Sequence, residues 1–141
     1  MAAQAQVIVV DSSVVVKWFS GEERTDKALE IRDSHISGNL AIWITSNMYF
    51  EVVNALRFKP DYNAKKLSRA IEYLLNLHLQ TGPIDRKILS RAGEIAYDCG
   101  VTIYDAAPVA LAEAKRTLCV TADEDTQYAK LKPKGYPIRL L

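Results

Sequence analysis

Four acidic residues, Asp11, Glu51, Asp105 and Asp123, stand where apolar segments end, begin or run through. Asp11 ends Gln6-Val-Ile-Val-Val10, and Asp123 closes Leu118-Cys-Val-Thr-Ala122. Glu51 interrupts Met48-Tyr-Phe-Glu-Val-Val, and Asp105 opens an Ala-rich segment after Tyr104. Carboxylates avoid apolar surroundings unless their charge is compensated. Carboxylates within about 5 Å of one another cannot all stay ionised, and a hard cation such as Mg²⁺ or Mn²⁺ removes that conflict. If the four converge, the chemistry is metal-assisted: a divalent ion polarises a phosphodiester and activates water.

Each acid also has an ordinary explanation. Asp11 and Asp123 follow apolar strands, which places them at the edge where open parallel sheets bind ligands, yet a lone Asp there also serves as a loop or cap residue. Asp105 reads as a helix N-cap before it reads as a ligand. Pro108 supports that cap, because it then falls in the first turn, where no intrahelical N–H bond is lost. Glu51 resists the ordinary account. Met48, Ala55 and Phe58 share its helical face, Asn54 lies at i+3, and a core Glu without a partner is expensive.

The elements that must position these acids follow from the pattern of the chain. Strands are expected at Val7–Val10, Ala41–Thr45, within Leu79–Pro83, at Leu118–Thr121 and at Tyr136–Leu140. Helices are expected over Val14–Phe19 with Ser12 or Ser13 as cap, Arg24–Ser37, from Ser46 or Asn47 to Phe58, and Ala64–Leu77. Two more follow: one capped by Asp85 with Ile88, Leu89, Ala92, Ile95 and Ala96 inward and Gly100 as terminator, and Asp105–Lys115. Thr126–Leu131 reads as a short helix. The alternation predicts one α/β domain over residues 1–141, with a mainly parallel sheet of about four to five strands and helices on both faces.

Composition narrows the options. The formal charge is 18 − 17 = +1, so no global field points to nucleic acid, although four site carboxylates would mask four basic residues. Cys99 and Cys119 have no metal-type spacing, which fits a reducing interior. His35 and His78 belong to no metal motif and read as surface or packing residues. The chain contains no GxxxxGK[ST] or GxGxxG phosphate loop and no GxSxG elbow, so the serines around Ser12 read as caps or as support for a metal site. The start, Met-Ala-Ala-Gln-Ala-Gln, lacks signal-peptide features, and no apolar run approaches the roughly 20 residues of a membrane span. The expectation is a cytoplasmic protein.

The same segments resemble the PIN-domain proteins, specifically the VapC-type toxin nucleases. Val9-Val10-Asp11-Ser12-Ser13 resembles the family's opening strand and first acid. Glu51-Val-Val-Asn54-Ala-Leu56 is similar to its glutamate helix, and Tyr104-Asp105-Ala106-Ala107 through Glu113 to its third motif. Val120-Thr121-Ala122-Asp123 resembles the last motif, with Asp125 where many relatives carry a further acid. The resemblance implies a Mg²⁺- or Mn²⁺-dependent ribonuclease toxin, with Asp11, Glu51, Asp105 and Asp123 on the metal and Ser12, Asn54, Thr121 and Asp125 in support. It also implies a homodimer and a VapB-type antitoxin partner. The chain departs from the family at Pro108, where relatives often place an aromatic or larger apolar residue, and at Ile103, where they often have a small polar one.

Candidate RNA contacts are Lys17, one or two turns beyond Asp11, and the basic stretch Arg57–Arg69 with Arg57, Lys59, Lys65 and Lys66. Phe58 and Tyr62 in that stretch are candidates to stack on bases. Two other functions fit a fold with acids at strand ends: a non-catalytic RNA- or protein-binding module, and a phosphoaspartate receiver. The receiver lacks a paired acid beside Asp11.

Overall fold

A computed structural model describes residues 5–141. The first four residues, part of the start expected to carry no signal peptide, lie outside the described residues. Five short strands, β1 (Gln6–Val10), β2 (Leu40–Thr45), β3 (Gln80–Gly82), β4 (Cys119–Thr121) and β5 (Ile138–Leu140), form one sheet. Their order is β3-β2-β1-β4-β5, and every pairing is parallel. The chain steps outward from β1 to β3, then crosses back to β4 on the other side of β1. Strand order therefore reverses between β1 and β4, the point at which such sheets open a crevice beyond their carboxyl ends.

Side-chain alternation along the strands separates two layers. Val9, Cys119 and Ile138 face α5 (Arg86–Cys99) and α6 (Ile103–Ala114), burying Ile88, Ala92, Ile95 and Val109. Val10, Ile42, Ile44 and Val120 face the opposite layer, α1 (Ser12–Val16), α2 (Thr25–Ile36), α3 (Met48–Arg57) and α4 (Ala64–Asn76). Each fully buried aliphatic side chain contributes roughly 1.5–3 kcal/mol relative to exposure. This is why continuously apolar strands, buried on both faces, tolerate no polar residue before their ends. Gly82 closes β3 where a Cβ would stand 2.5 Å from Leu111 Cδ1, so the α6 layer approaches the strand directly over a glycine.

The structure revises several local expectations. α1 is capped by Asp11, which accepts from Ser13 N at 3.0 Å, rather than by a serine. α6 begins at Ile103 with Thr102 as its cap, so Asp105 lies within the first turn and Pro108 in the second. The bond lost to Pro108 would have ended on the carbonyl of Tyr104, a residue 60% exposed. Leu89, expected inward, is 52% exposed because the α5 face turned to the sheet is narrower than the apolar stripe. The segment after Asp123 is a π-helical turn, Glu124–Tyr128, that runs into a last α-turn, Ala129–Leu131. Cys99 and Cys119 are free thiols. Among the described residues no helix is long and apolar enough to cross a membrane.

Candidate active site

The strands deliver the acids. Asp11 follows β1, is 7% exposed, and divides its oxygens between two donors: Ser13 N on Oδ2 at 3.0 Å and Gln127 Nε2 on Oδ1 at 3.4 Å. Asp123 follows β4, where its N–H donates to Thr121 Oγ1 at 3.0 Å and its Oδ1 caps the π-helical turn through Thr126 N at 3.0 Å. Ser13 Oγ ties the two strand ends together, accepting from Ala122 N at 2.9 Å and lying 3.3 Å from Thr121 Oγ1. Asp11 and Asp123 thus stand on either side of the point where strand order reverses.

Helices supply the other two. Glu51 sits in the first turn of α3 and Asp105 in the first turn of α6, where exposed backbone N–H groups favour anions. Glu51 is half-buried, and burial, then the charges of Asp11 and Asp105, push its carboxyl up to about 7. Asp105 is raised by burial, then by Asp11 and Asp123, while the Lys130 ammonium, held on the Gly100 carbonyl at 3.3 Å, opposes this only weakly. Burial also raises Asp11, against the bonds from Ser13 and Gln127. Each of these acids is therefore raised in part by the charge of another. None of Asp11, Glu51 and Asp105 has an ion-pair partner among the described residues.

Gln127 has no forerunner in the sequence reading. It is fully buried, donates to the Asp105 carbonyl at 2.9 Å as well as to Asp11, and accepts from the Thr121 hydroxyl. A π-turn carries one residue more than an α-turn, and here it rotates Gln127 inward between β4 and α6. The clue was present in the sequence as a Gln four residues past Asp123, but only the wider turn aims it at the acids.

The predicted supporting residues divide. Thr121 and Ser12 lie at the acids, the latter only slightly opposing the rise of the Glu51 carboxyl. Asn54 and Asp125 are exposed and make no hydrogen bond to the acids. The amide that does reach Glu51 is Asn47, one turn earlier, donating Nδ2 to Oε1 at 3.1 Å. Its Oδ1 is buried with no hydrogen-bond partner among the described residues, an unused oxygen donor beside the carboxylates. The face of Glu51 is also less buried than its sequence suggests: Met48 is covered, while Phe58 is 73% exposed.

The basic candidates are largely engaged. Lys17 and Lys59 both pair with Glu22, and Lys66 pairs with Asp61 at 2.7 Å while covering the Tyr62 ring at 4.4 Å. Tyr62, whose hydroxyl donates to the Phe19 carbonyl at 2.9 Å, is held by its own helix layer and is no open stacking platform. Arg57 and Lys65 are exposed, and Arg57 stacks 5.3 Å from the Phe58 ring. His35 bridges α2 to Leu77 O and Ile42 N, a packing role remote from the acids, whereas His78 is exposed.

Whether these residues suit a divalent ion follows from their chemistry. The donors are hard oxygens, they repel one another without a counter-cation, and an orphaned amide oxygen lies among them, all of which suit Mg²⁺ or Mn²⁺. Among the described residues no three His, Cys, Asp or Glu side chains stand close enough to ligate one ion together.

A family model described as PIN domain matches residues 8–132. None of the curated proteins matches the chain in sequence. Among solved structures, the chain is similar to a toxin–antitoxin complex from Klebsiella pneumoniae, at 19% identity over 84% of this chain and 88% of that chain, with a TM-score of 0.63. It is similar to VapC20 of Mycobacterium tuberculosis, a sarcin-ricin loop cleaving toxin, at 16% identity over 92% and 95%, with a TM-score of 0.67. A Pyrobaculum aerophilum protein is 25% identical over 90% of this chain and 82% of its own, with a TM-score of 0.61.

Proposed function

The chain belongs to the PIN domain family, and from that premise we propose that it is a divalent-metal-dependent endoribonuclease, the VapC-type toxin of a type II toxin–antitoxin pair. The observation that carries the proposal is that Asp11, Glu51 and Asp105, three carboxyls at one sheet edge with no ion-pair partner among the described residues, are all raised by burial, and Glu51 and Asp105 further by the charge of Asp11. Asp11, Glu51, Asp105 and Asp123 would hold Mg²⁺ or Mn²⁺. Bound there, such an ion supplies Lewis acidity to a phosphodiester and lowers the pKa of water. The chain's own residues do the rest. Ser13 N and Gln127 fix the rotamer of Asp11, Asn47 orients Glu51, and Thr121 ties Asp123 to Ser13 and Gln127. Among the basic candidates, Arg57 and Lys65 are exposed to meet RNA phosphates, whereas Lys66 must first leave Asp61.

We assign a VapB-type antitoxin to the surface beside the acids. An apolar groove of about 370 Å³ runs along Ile84, Ile88, Leu89, Ile103 and Tyr104 and includes Asn47, the residue bonded to Glu51. Its exposed apolar side chains suit a protein segment better than RNA. Homodimerisation would use the same kind of surface, to which Phe50, 83% exposed on α3, belongs.

One observation favours a second function, a non-catalytic module that binds RNA or protein: among the described residues no three acids lie close enough to hold one ion together. Chelation separates the two. RNA hydrolysis by the wild-type chain with Mg²⁺ or Mn²⁺, abolished by EDTA and by Asp11→Asn in a folded protein, supports the nuclease. RNA binding that ignores metal, with no cleavage under any ion, supports the module.

A further inference from the structure

We infer that Lys17 and Lys59 form a subsite for an RNA backbone phosphate flanking the scissile one, and that the Glu22 carboxylate holds this subsite until RNA displaces it. The inference rests on the nuclease proposal and adds to it where the strand enters and what it must move aside.

The geometry begins with two helices that each carry an acid at the start and a lysine at the end. Asp11 caps the N-terminus of α1, and Lys17 is its C-cap. Glu51 lies in the first turn of α3, and Lys59 follows its C-cap, Phe58. At 1.5 Å per helical residue, six positions separate acid and lysine by about 9 Å on α1, and eight by about 12 Å on α3. α1 and α3 pack in the same layer, so the acids lie toward one end and the ammonium groups toward the other. A cleft of about 430 Å³, lined by Ser12, Ser13, Lys17, Glu22, Lys59 and Asp123, joins the two ends.

One carboxylate serves both lysines. Lys17 Nζ lies 3.4 Å from Glu22 Oε2, Lys59 Nζ pairs with Oε1, and Ser20 Oγ donates to the same Oε1 at 2.9 Å. Lys17 is further fixed on the Glu23 carbonyl at 2.6 Å, and its side chain is only 12% exposed. Enclosing an ammonium this far is costly unless an anion stands in front of it. Glu22 meets that need from a surface loop, next to the exposed Gly21 and held through its backbone N–H on Thr25 Oγ1 at 2.9 Å. A phosphodiester offers the same lysines a full charge on oxygens of similar reach. Partly exposed ion pairs contribute little to folding, so exchange of one anion for another leaves the fold intact.

The test is RNA binding without turnover. A short, mixed-sequence, fluorophore-labelled single-stranded RNA is titrated with the chain in EDTA, followed by anisotropy, with thermal unfolding as the control for folding. Glu22→Gln is expected to tighten binding by about 5-fold, as removal of one repelling charge near a phosphate should. Lys17→Met and Lys59→Met are each expected to weaken it by a similar factor and to flatten its salt dependence by about one released ion. The gain from Glu22→Gln should vanish when Lys17→Met is also present. Equal or weaker RNA binding by a folded Glu22→Gln protein overturns the inference. Metal-dependent cleavage by the wild-type chain together with that result removes the subsite alone and leaves the nuclease standing. Neither cleavage nor RNA binding by any of the proteins removes both.

Discussion

Two groups of carboxylates sit on this fold, and they are compensated in opposite ways. Between α5 and α6, Arg91 meets Glu113 with two parallel bonds of 2.8 and 3.0 Å and reaches Glu94 at 3.0 Å. There a planar guanidinium matches planar carboxylates, and the cluster ties two helices of one layer. At the carboxyl edge of the strands, Asp11, Glu51 and Asp105 have no such partner among the described residues, and each is pushed up. Under the proposed function, the second location is the one that a cation from solution would fill. The contrast separates acids that hold the protein together from acids that cost it stability.

The largest expected effect tests the uncompensated group. Asp11→Asn keeps the Ser13 and Gln127 geometry in outline while removing the most buried charge, and RNA cleavage should fall by at least about 10³-fold with the fold retained. Circular dichroism and a cleavage time course check both halves. Next comes Gln127. Replacement by Met keeps its length and removes both bonds to the acids, and residues that orient metal ligands typically account for about 10–100-fold in metal affinity. Mn²⁺ affinity measured without RNA should fall in that range. A loss of stability alone would make Gln127 a packing residue.

The pH dependence of stability gives a smaller effect with a definite sign. Glu51 binds its proton up to about 7 in the folded chain, against 4.5 for an ordinary glutamate. The folded state therefore holds more protons than the unfolded one between those values, and the metal-free protein loses stability as pH rises from 4.5 through 7. Glu51→Gln should flatten that fall, as should saturating Mg²⁺ in the wild type. The smallest effect belongs to the compensated group. Glu113→Gln should cost about 0.5–1 kcal/mol in chemical denaturation and leave RNA cleavage unchanged. A cleavage defect there would erase the distinction between the two groups.

Much of this arrangement is legible in the sequence, for particular reasons. Asp11 and Asp123 stand out because each ends a β-branched run that can only be a buried strand, and the parallel sheet then puts both at one edge. Glu51 stands out because a helical face with Met48 on it should not carry a charge. The rest depends on turn geometry that residue spacing does not encode. Thr102 takes the cap expected of Asp105 because its hydroxyl reaches Asp105 N at 3.1 Å, which starts α6 earlier and moves Pro108 into the second turn. Asn54 has the right spacing from Glu51 but turns to solvent, while Asn47 reaches Glu51 from the helix start. Gln127 is invisible without the π-turn, since at α-helical pitch it would point elsewhere. The lysines read as open phosphate contacts are paired because Glu22, a loop residue, folds back between two helix ends.

The central claim is that the acids form one cation site, and Mn²⁺ binding tests it most directly. Electron paramagnetic resonance of free Mn²⁺, titrated against the metal-free wild-type chain and against Asp11→Asn, reads occupancy without RNA. Saturable Mn²⁺ uptake by the wild type, displaced by Mg²⁺ and lost in the folded Asp11→Asn protein, is expected. Equal Mn²⁺ binding by both proteins, or none by either, would contradict it.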